Sequence, residues 1–448
     1  MIEPAGVGDA EVATEGSSEA GASQSLPRIL FERLRRNLGD PGTLLALTMI
    51  AALIVRIVWL TIPQNALIFD ESYYVNAARV LLGWDVPAGA PYAGSPVGLD
   101  PNSEHPPLGK LLMALSMAVF GDNGLGWRLP SVIAGMVALV AVYGIVRTSG
   151  ESTRLALLAV GFVAFDNLML VHSRIGTLDM LVLAPILVGA WLALRGHWAA
   201  AGAATGIGML MKLTALYGLL ALLIMLALGL WAAWRRSRRL GWADLRPTVV
   251  ALGAFVVVTI GGLWLLNSRF SSYSNPIEHL QHMISYGANL GRAVVGPGSC
   301  PGNDSAPWQW LFNDCEISYL RVDVTVKAGD TIIAINPTVD FRGAMNPILI
   351  GSVFLAFLFT GWLALKRRSR LAGWSLVWAA ANYLPYVALA LLSQRVTYIY
   401  YFLPVIPALA VATALLLRRS GLPRFVTVGY VVVFLVGFIA YFPFRQIP

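Results

Sequence analysis

The chain has 448 residues, 57% of them hydrophobic and 12% charged. Soluble domains average about 25% charged residues, so this composition, with a mean hydropathy of +0.67, excludes a soluble globular protein and a disordered one. The net charge is +8, which in so apolar a chain points to cationic cytoplasmic loops and not to nucleic acid.

Residues 1–27 are rich in Gly, Ala, Ser and Glu without apolar periodicity, and read as a disordered cytoplasmic tail. No basic segment followed by an apolar run marks a cleaved signal peptide. Arg28, Arg33, Arg35 and Arg36 come next and place the N-terminus in the cytoplasm. The first apolar span is 43–62. A polar external loop, 63–128, follows, with two helical candidates at 71–84 and 108–120. The second is too short to cross comfortably and reads as interfacial. Further spans are expected at 129–147, 155–172, 179–195, 199–211, 213–234 and 248–267. An external loop or cap occupies 268–345, with strand-like alternation at 322–326 and 331–335. Four final spans cover 346–365, 372–392, 398–417 and 424–443.

The expected fold is therefore an all-α polytopic membrane protein of about eleven transmembrane helices. Its parts are an N-terminal catalytic module, 28–267, the loop 268–345, and C-terminal helices, 346–448. Charge tests the count. With 108–120 interfacial, 19 basic residues fall inside, including the 235–239 cluster RRSRR, and 12 fall outside over longer loops that also hold 14 acidic residues. The positive-inside rule selects this arrangement. No internal repeat supports an inverted-repeat transporter. Cys300 and Cys315, the two cysteines, share one external loop and most simply form a disulfide, a two-cysteine metal site being the alternative.

Asp70 and Glu71 follow the outer end of the first span. A carboxylate there can serve as a general base or a cation ligand. The plain alternative is a helix start, with Asp70 as N-cap and Glu71 at the positive dipole end. His105-Pro106-Pro107-Leu108-Gly109-Lys110 opens the interfacial helix, where Lys110 either meets a lipid phosphate or snorkels. Arg128, Arg174, Lys212 and Arg395 come from four hairpins and all fall at the outer face, where the charge rule disfavours cations. With Asp70, Glu71 and Asp179 they read as an anionic-ligand site. Glu278, His279 and His282 have only a crude metal spacing. Asn303-Asp304-Ser305 is a weak glycosylation pattern. Arg56 and Asp166 lie within apolar spans, either paired or supporting the site.

In order, Phe69-Asp70-Glu71, His105 to Lys110, Trp127-Arg128-Leu129-Pro130-Ser131, Phe165 to Leu168, Ser173-Arg174-Ile175 with Leu178-Asp179, Met211-Lys212-Leu213, and Arg395 with Tyr400 to Pro404 resemble the protein O-mannosyltransferases. These are GT-C glycosyltransferases that use polyprenyl- or dolichyl-phosphate mannose. The resemblance implies the GT-C fold with juxtamembrane helices in the first external loop. It implies Asp70 as catalytic base, Glu71 assisting in the acceptor site, and donor phosphate and sugar held by His105, Lys110, Arg128, Arg174, Asp179, Lys212 and Arg395. It implies no metal site and no required cofactor. The implied partners are a polyprenyl-phosphate sugar, an exported-protein Ser/Thr hydroxyl as acceptor, and membrane lipids, in a bacterial plasma membrane with the active site outside. Two alternatives stand: a transferase of the aminoarabinose type acting on a lipid or envelope polymer, and a transporter or flippase.

Overall fold

The structure, a computed structural model, describes residues 40–64, 66–291, 300 and 303–445. The expected tail 1–27 and the cations Arg28 to Arg36 lie outside the described residues. Every expected apolar span is helical. The first helix, Pro41–Ile57, starts where Asp40 accepts the Thr43 amide at 2.8 Å and Pro41 presets the first turn. Five helices are long and apolar enough to cross a bilayer: Gly124–Thr148, Ala215–Ser237, Trp242–Phe270, Arg370–Leu392 and Ile399–Arg419. Shorter apolar helices fill the remaining positions, among them Pro41–Ile57, Leu178–Leu194 and Arg424–Ala440.

Two expected spans are interrupted at polar residues, 155–172 at Asp166 and 346–365 at Ser352, whose hydroxyl meets Thr413. Thr153–Ala164 ends before Asp166, whose Oδ1 accepts the Met169 amide and starts Asn167–His172. Its Oδ2 accepts the Asn346 amide at 2.8 Å. Asn167 and Asn346 then donate to the Phe438 and Phe434 carbonyls. Asp166 thus joins a buried polar knot between the early and late helices and does not pair with Arg56, which bonds the Ala52 and Ala164 carbonyls. One hydrophobic core runs from Ala52 to Phe444, so packing unites the N-terminal and C-terminal modules. The helix Ile406–Arg419, apolar on nearly all sides, is buried at its centre.

Both external loops sit over one end of this core. The first carries Glu71–Leu82 and Leu108–Phe120, close to the expected bounds. The second carries the helix Pro276–Asn289 and an antiparallel hairpin, Ile317–Ala328 with Thr331–Gly343, turning at Gly329, whose φ of +63° suits glycine. The hairpin falls where the strand-like alternation is expected. Its strands extend the predicted alternation at both ends because their bases, Ile317, Tyr319 and Phe341, are buried in the core. Cys300 and Cys315 are disulfide-bonded.

Candidate active site

Asp70 sits on the turn that delivers the chain from the first helix into Glu71–Leu82. The preceding Phe69 has φ +56°, a left-handed conformation uncommon for a residue with a side chain. Its ring stacks on Tyr319 at 4.3 Å and meets Tyr400 edge-on at 5.6 Å, which holds the turn. Asp70 occupies the N-cap position, yet its carboxylate makes no capping bond, and no hydrogen bond or ion pair ties it among the described residues. The helix-start reading therefore fails for its side chain. The carboxylate is partly exposed. Burial pushes its pKa up to about 6, with Lys212 pulling it down and Asp179 pushing it up.

Glu71 is the opposite case. It is fully buried and accepts from the Ile68 amide at 2.7 Å, the Gly176 amide at 2.7 Å, and Arg128 Nε and Nη2 at 2.8 and 3.0 Å. A Cβ on Gly176 would lie 2.9 Å from the Trp127 carbonyl, so only glycine lets that amide approach. Arg128 also donates to the Leu60 and Ala66 carbonyls. This bidentate pair uses up both side chains. In this structure Glu71 and Arg128 spend their polar atoms on each other and on the surrounding backbone. Together they fix the turn that carries Asp70.

Two more expected phosphate ligands are likewise engaged. Lys110 is buried against Asp100 at 2.6 Å and donates to the Asn102 and His105 carbonyls at 2.5 and 2.8 Å. It pins the loop Asp100–His105. Arg174 donates to the Val55 and Val58 carbonyls and lies 5.2 Å from the Phe444 ring, where a cation satisfies the negative end of the first helix. Lys110, held by a carboxylate and two carbonyls, and Arg174, whose terminal nitrogens reach two carbonyls, satisfy the sequence pattern as well as a ligand-facing cation would, so sequence could not separate the two cases.

The remaining expected residues are Lys212, Asp179, His105 and Arg395. Lys212 Nζ lies 2.7 Å from Asp179 Oδ1 and 5.6 Å from the Tyr400 ring. His105 has a buried Nδ1 with no hydrogen-bond partner, and its ring is 5.9 Å from Tyr74. Burial holds its pKa well below the usual histidine range, with the charges of Lys212, Lys110 and Arg395 adding to the effect. Arg395 donates Nε to the Gly287 carbonyl at 2.5 Å, and its terminal nitrogens make no hydrogen bond among the described residues. Asp70 lies within electrostatic reach of Lys212 and Asp179, and His105 within reach of Lys212 and Arg395.

Sequence reasoning missed the aromatic wall and one histidine. Tyr74, Tyr319, Tyr398 and Tyr400 surround Asp70 closely enough to feel its charge. The run Tyr398–Tyr401 was the available signal; Tyr319, from a distant strand, had none. His172, buried, binds Tyr319. His279 and His282 bond Asn267 and Ser103 and hold Pro276–Asn289 onto the first loop. No metal-binding group of three or more His, Cys, Asp or Glu occurs among the described residues. Beside the site an apolar cleft of about 580 Å³ runs between helices, lined by Leu112, Ile133, Val137, Leu181, Val188 and Met211. Met211 adjoins Lys212.

Comparison with known proteins agrees. Residues 104–264 match the family model described as dolichyl-phosphate-mannose-protein mannosyltransferase. A polyprenol-phosphate-mannose–protein mannosyltransferase from Corynebacterium glutamicum is 26% identical over 83% of this chain and 81% of its own. A protein of the same description from Mycolicibacterium smegmatis is 35% identical over 30% of this chain and 25% of its own. The Saccharomyces cerevisiae protein O-mannosyltransferase Pmt1–Pmt2 complex, solved with its sugar donor, superposes with a TM-score of 0.63 at 12% identity, covering 90% of this chain and 89% of that one. ArnT from Cupriavidus metallidurans, solved with undecaprenyl phosphate, gives a TM-score of 0.54 at 21% identity over 87% of this chain, which spans 62% of ArnT.

The chain has the GT-C fold of these solved membrane proteins. In sequence and in fold the chain is similar to protein O-mannosyltransferases.

Proposed function

We propose that the enzyme moves mannose from a polyprenyl-phosphate carrier to a Ser or Thr hydroxyl of an exported polypeptide, at the outer face of a bacterial plasma membrane. The orientation follows the charge asymmetry of the loops, with eleven crossings and a cytoplasmic N-terminus. The observation that carries the reading is the Asp70 carboxylate. It has no hydrogen bond or ion pair among the described residues and is partly exposed, with Lys212 and Asp179 the charges that act on it.

In this reading Asp70 accepts the acceptor hydroxyl's proton as that oxygen attacks the anomeric carbon. The carbon–oxygen bond to the carrier phosphate breaks on the opposite face, and the configuration inverts in one displacement. Negative charge grows on the departing phosphate. Lys212 and the free nitrogens of Arg395 are the fixed cations available to meet it. His105, with an unpartnered buried nitrogen, is placed to bond the donor head. The apolar cleft ending at Met211 offers the isoprenoid tail a surface that leads to Lys212. The step calls for no metal. Glu71 and Arg128 contribute by holding the turn, not by touching substrate.

The test uses purified enzyme with polyprenyl-phosphate mannose and, in separate reactions, a Ser/Thr peptide and a lipid acceptor. Sugar on the peptide supports the reading. Sugar on the lipid alone replaces it with the aminoarabinose-transferase type of activity, and no transfer to either refutes it.

A further inference from the structure

Four buried groups from separate segments form a line that ends at the catalytic carboxylate. Tyr319 Oη, from the first strand of the hairpin, lies 2.9 Å from His172 Nε2. His172 Nδ1 lies 3.4 Å from Thr177 Oγ1 and 3.8 Å from Asp179 Oδ2. Asp179 Oδ1 lies 2.7 Å from Lys212 Nζ, and Asp179 Oδ2 has no hydrogen bond of its own. The Tyr319 ring also stacks on Phe69, the residue before Asp70. The hairpin therefore reaches Asp70 twice: by its ring through Phe69, and by its hydroxyl through His172.

The chemistry of the line is directional. A phenol O–H donates to Nε2, which leaves the proton of a neutral imidazole on Nδ1, facing Thr177 and Asp179. Asp179 Oδ2, 3.8 Å from Nδ1, meets that proton electrostatically and without a hydrogen bond, while Asp179 Oδ1 holds Lys212 at 2.7 Å. Lys212 is the cation that opposes the effect of burial on Asp70. We propose that Tyr319 and His172 are positioning residues that act through Asp179 and Lys212 to keep Asp70 ionised at working pH. The inference rests on Asp70 being the base.

The titratable groups facing Asp70 are Lys212, Asp179, Tyr74 on its own helix, Tyr319 on the hairpin, Tyr398 and Tyr400 on the segment before Ile406, and Tyr286 on Pro276–Asn289. Those facing His172 are Tyr319, Asp179, Lys212 and Tyr400. Among the groups facing Asp70, Lys212 alone is cationic, so its placement governs the sign of the outcome.

The experiment is the pH profile of kcat/KM for the full-length enzyme and for Tyr319→Phe, His172→Gln and the double variant. Tyr319→Phe keeps the ring on Phe69 and removes only the hydroxyl, so it separates the line from packing. A less firmly held Lys212 moves the acidic limb of each variant up by about half a pH unit, roughly a threefold rate loss below the limb. Groups acting as a unit make the double variant no worse than either single one. Unmoved limbs, or losses that multiply in the double variant, overturn the proposal. Asp70→Asn separates the two readings. If it is inactive while the limbs stay put, the positioning role fails alone. If it is fully active, the base assignment fails whatever the limbs do.

Discussion

At the scale of residues, adjacent carboxylates have opposite fates. Glu71 has four short bonds and Asp70 has none among the described residues, so the two substitutions should fail differently. Asp70→Asn should lower turnover by about 10²–10⁴, the usual worth of a positioned base, while donor affinity persists. Arg128→Ala leaves Glu71 buried and uncompensated, which costs about 3–5 kcal/mol. It should lower the thermal midpoint strongly, whereas a direct phosphate ligand would mainly raise the donor KM. The pH dependence has a definite sign. A base works only when ionised, and burial lifts Asp70 to about 6, so kcat/KM should rise through about pH 6 and fall roughly tenfold per unit below it. The residue types of the site were legible because a carboxylate and several cations at an outer membrane face are costly without a reason. Which cations were free was not. Lys110 and Arg174 spend their donors on carbonyls supplied by Asn102, His105, Val55 and Val58, and a linear reading cannot see where a carbonyl points.

At the scale of elements, both juxtamembrane helices were read almost to the residue, because Pro106-Pro107 sets one start and Gly83, at φ +73°, ends the other. The breaks at Asp166 and Ser352 were not legible. Each depends on a partner far along the chain: Asn346 for Asp166, Thr413 for Ser352. The hairpin was half legible. Alternation marked its outer part, but its base reads as apolar sequence that is buried for tertiary reasons. The Cys300–Cys315 bridge closes a segment with a sequence separation of 15, which in the chain-entropy account is worth about 3 kcal/mol. Cys315→Ser should therefore speed proteolysis near residue 315 well before it alters the helical core. Chelation should leave turnover unchanged, because the proposed step meets phosphate charge with side chains; loss of activity in chelator, restored by a divalent ion, would contradict that.

At the scale of the whole molecule, sequence hydropathy located the apolar helices among the described residues, since apolar runs bounded by charge are a strong signal in lipid. Their lengths were less legible. Trp198–Met209, at 12 residues, is only about 18 Å long, and tertiary packing sets such ends. The proposed orientation predicts that a cysteine at Ser237 is labelled by an impermeant thiol reagent only from the cytoplasmic side, and one at Ser318 only from outside; the reverse pattern would invert the topology. The account rests above all on Asp70 as the base of a carrier-dependent mannosyl transfer. Its most direct test is mass spectrometry of a Ser/Thr peptide after incubation with polyprenyl-phosphate mannose and either wild-type enzyme or Asp70→Asn in the same lipid. The account predicts one hexose on the peptide with the wild type and at least about a hundredfold slower transfer with the variant. Equal rates for the two proteins would contradict it.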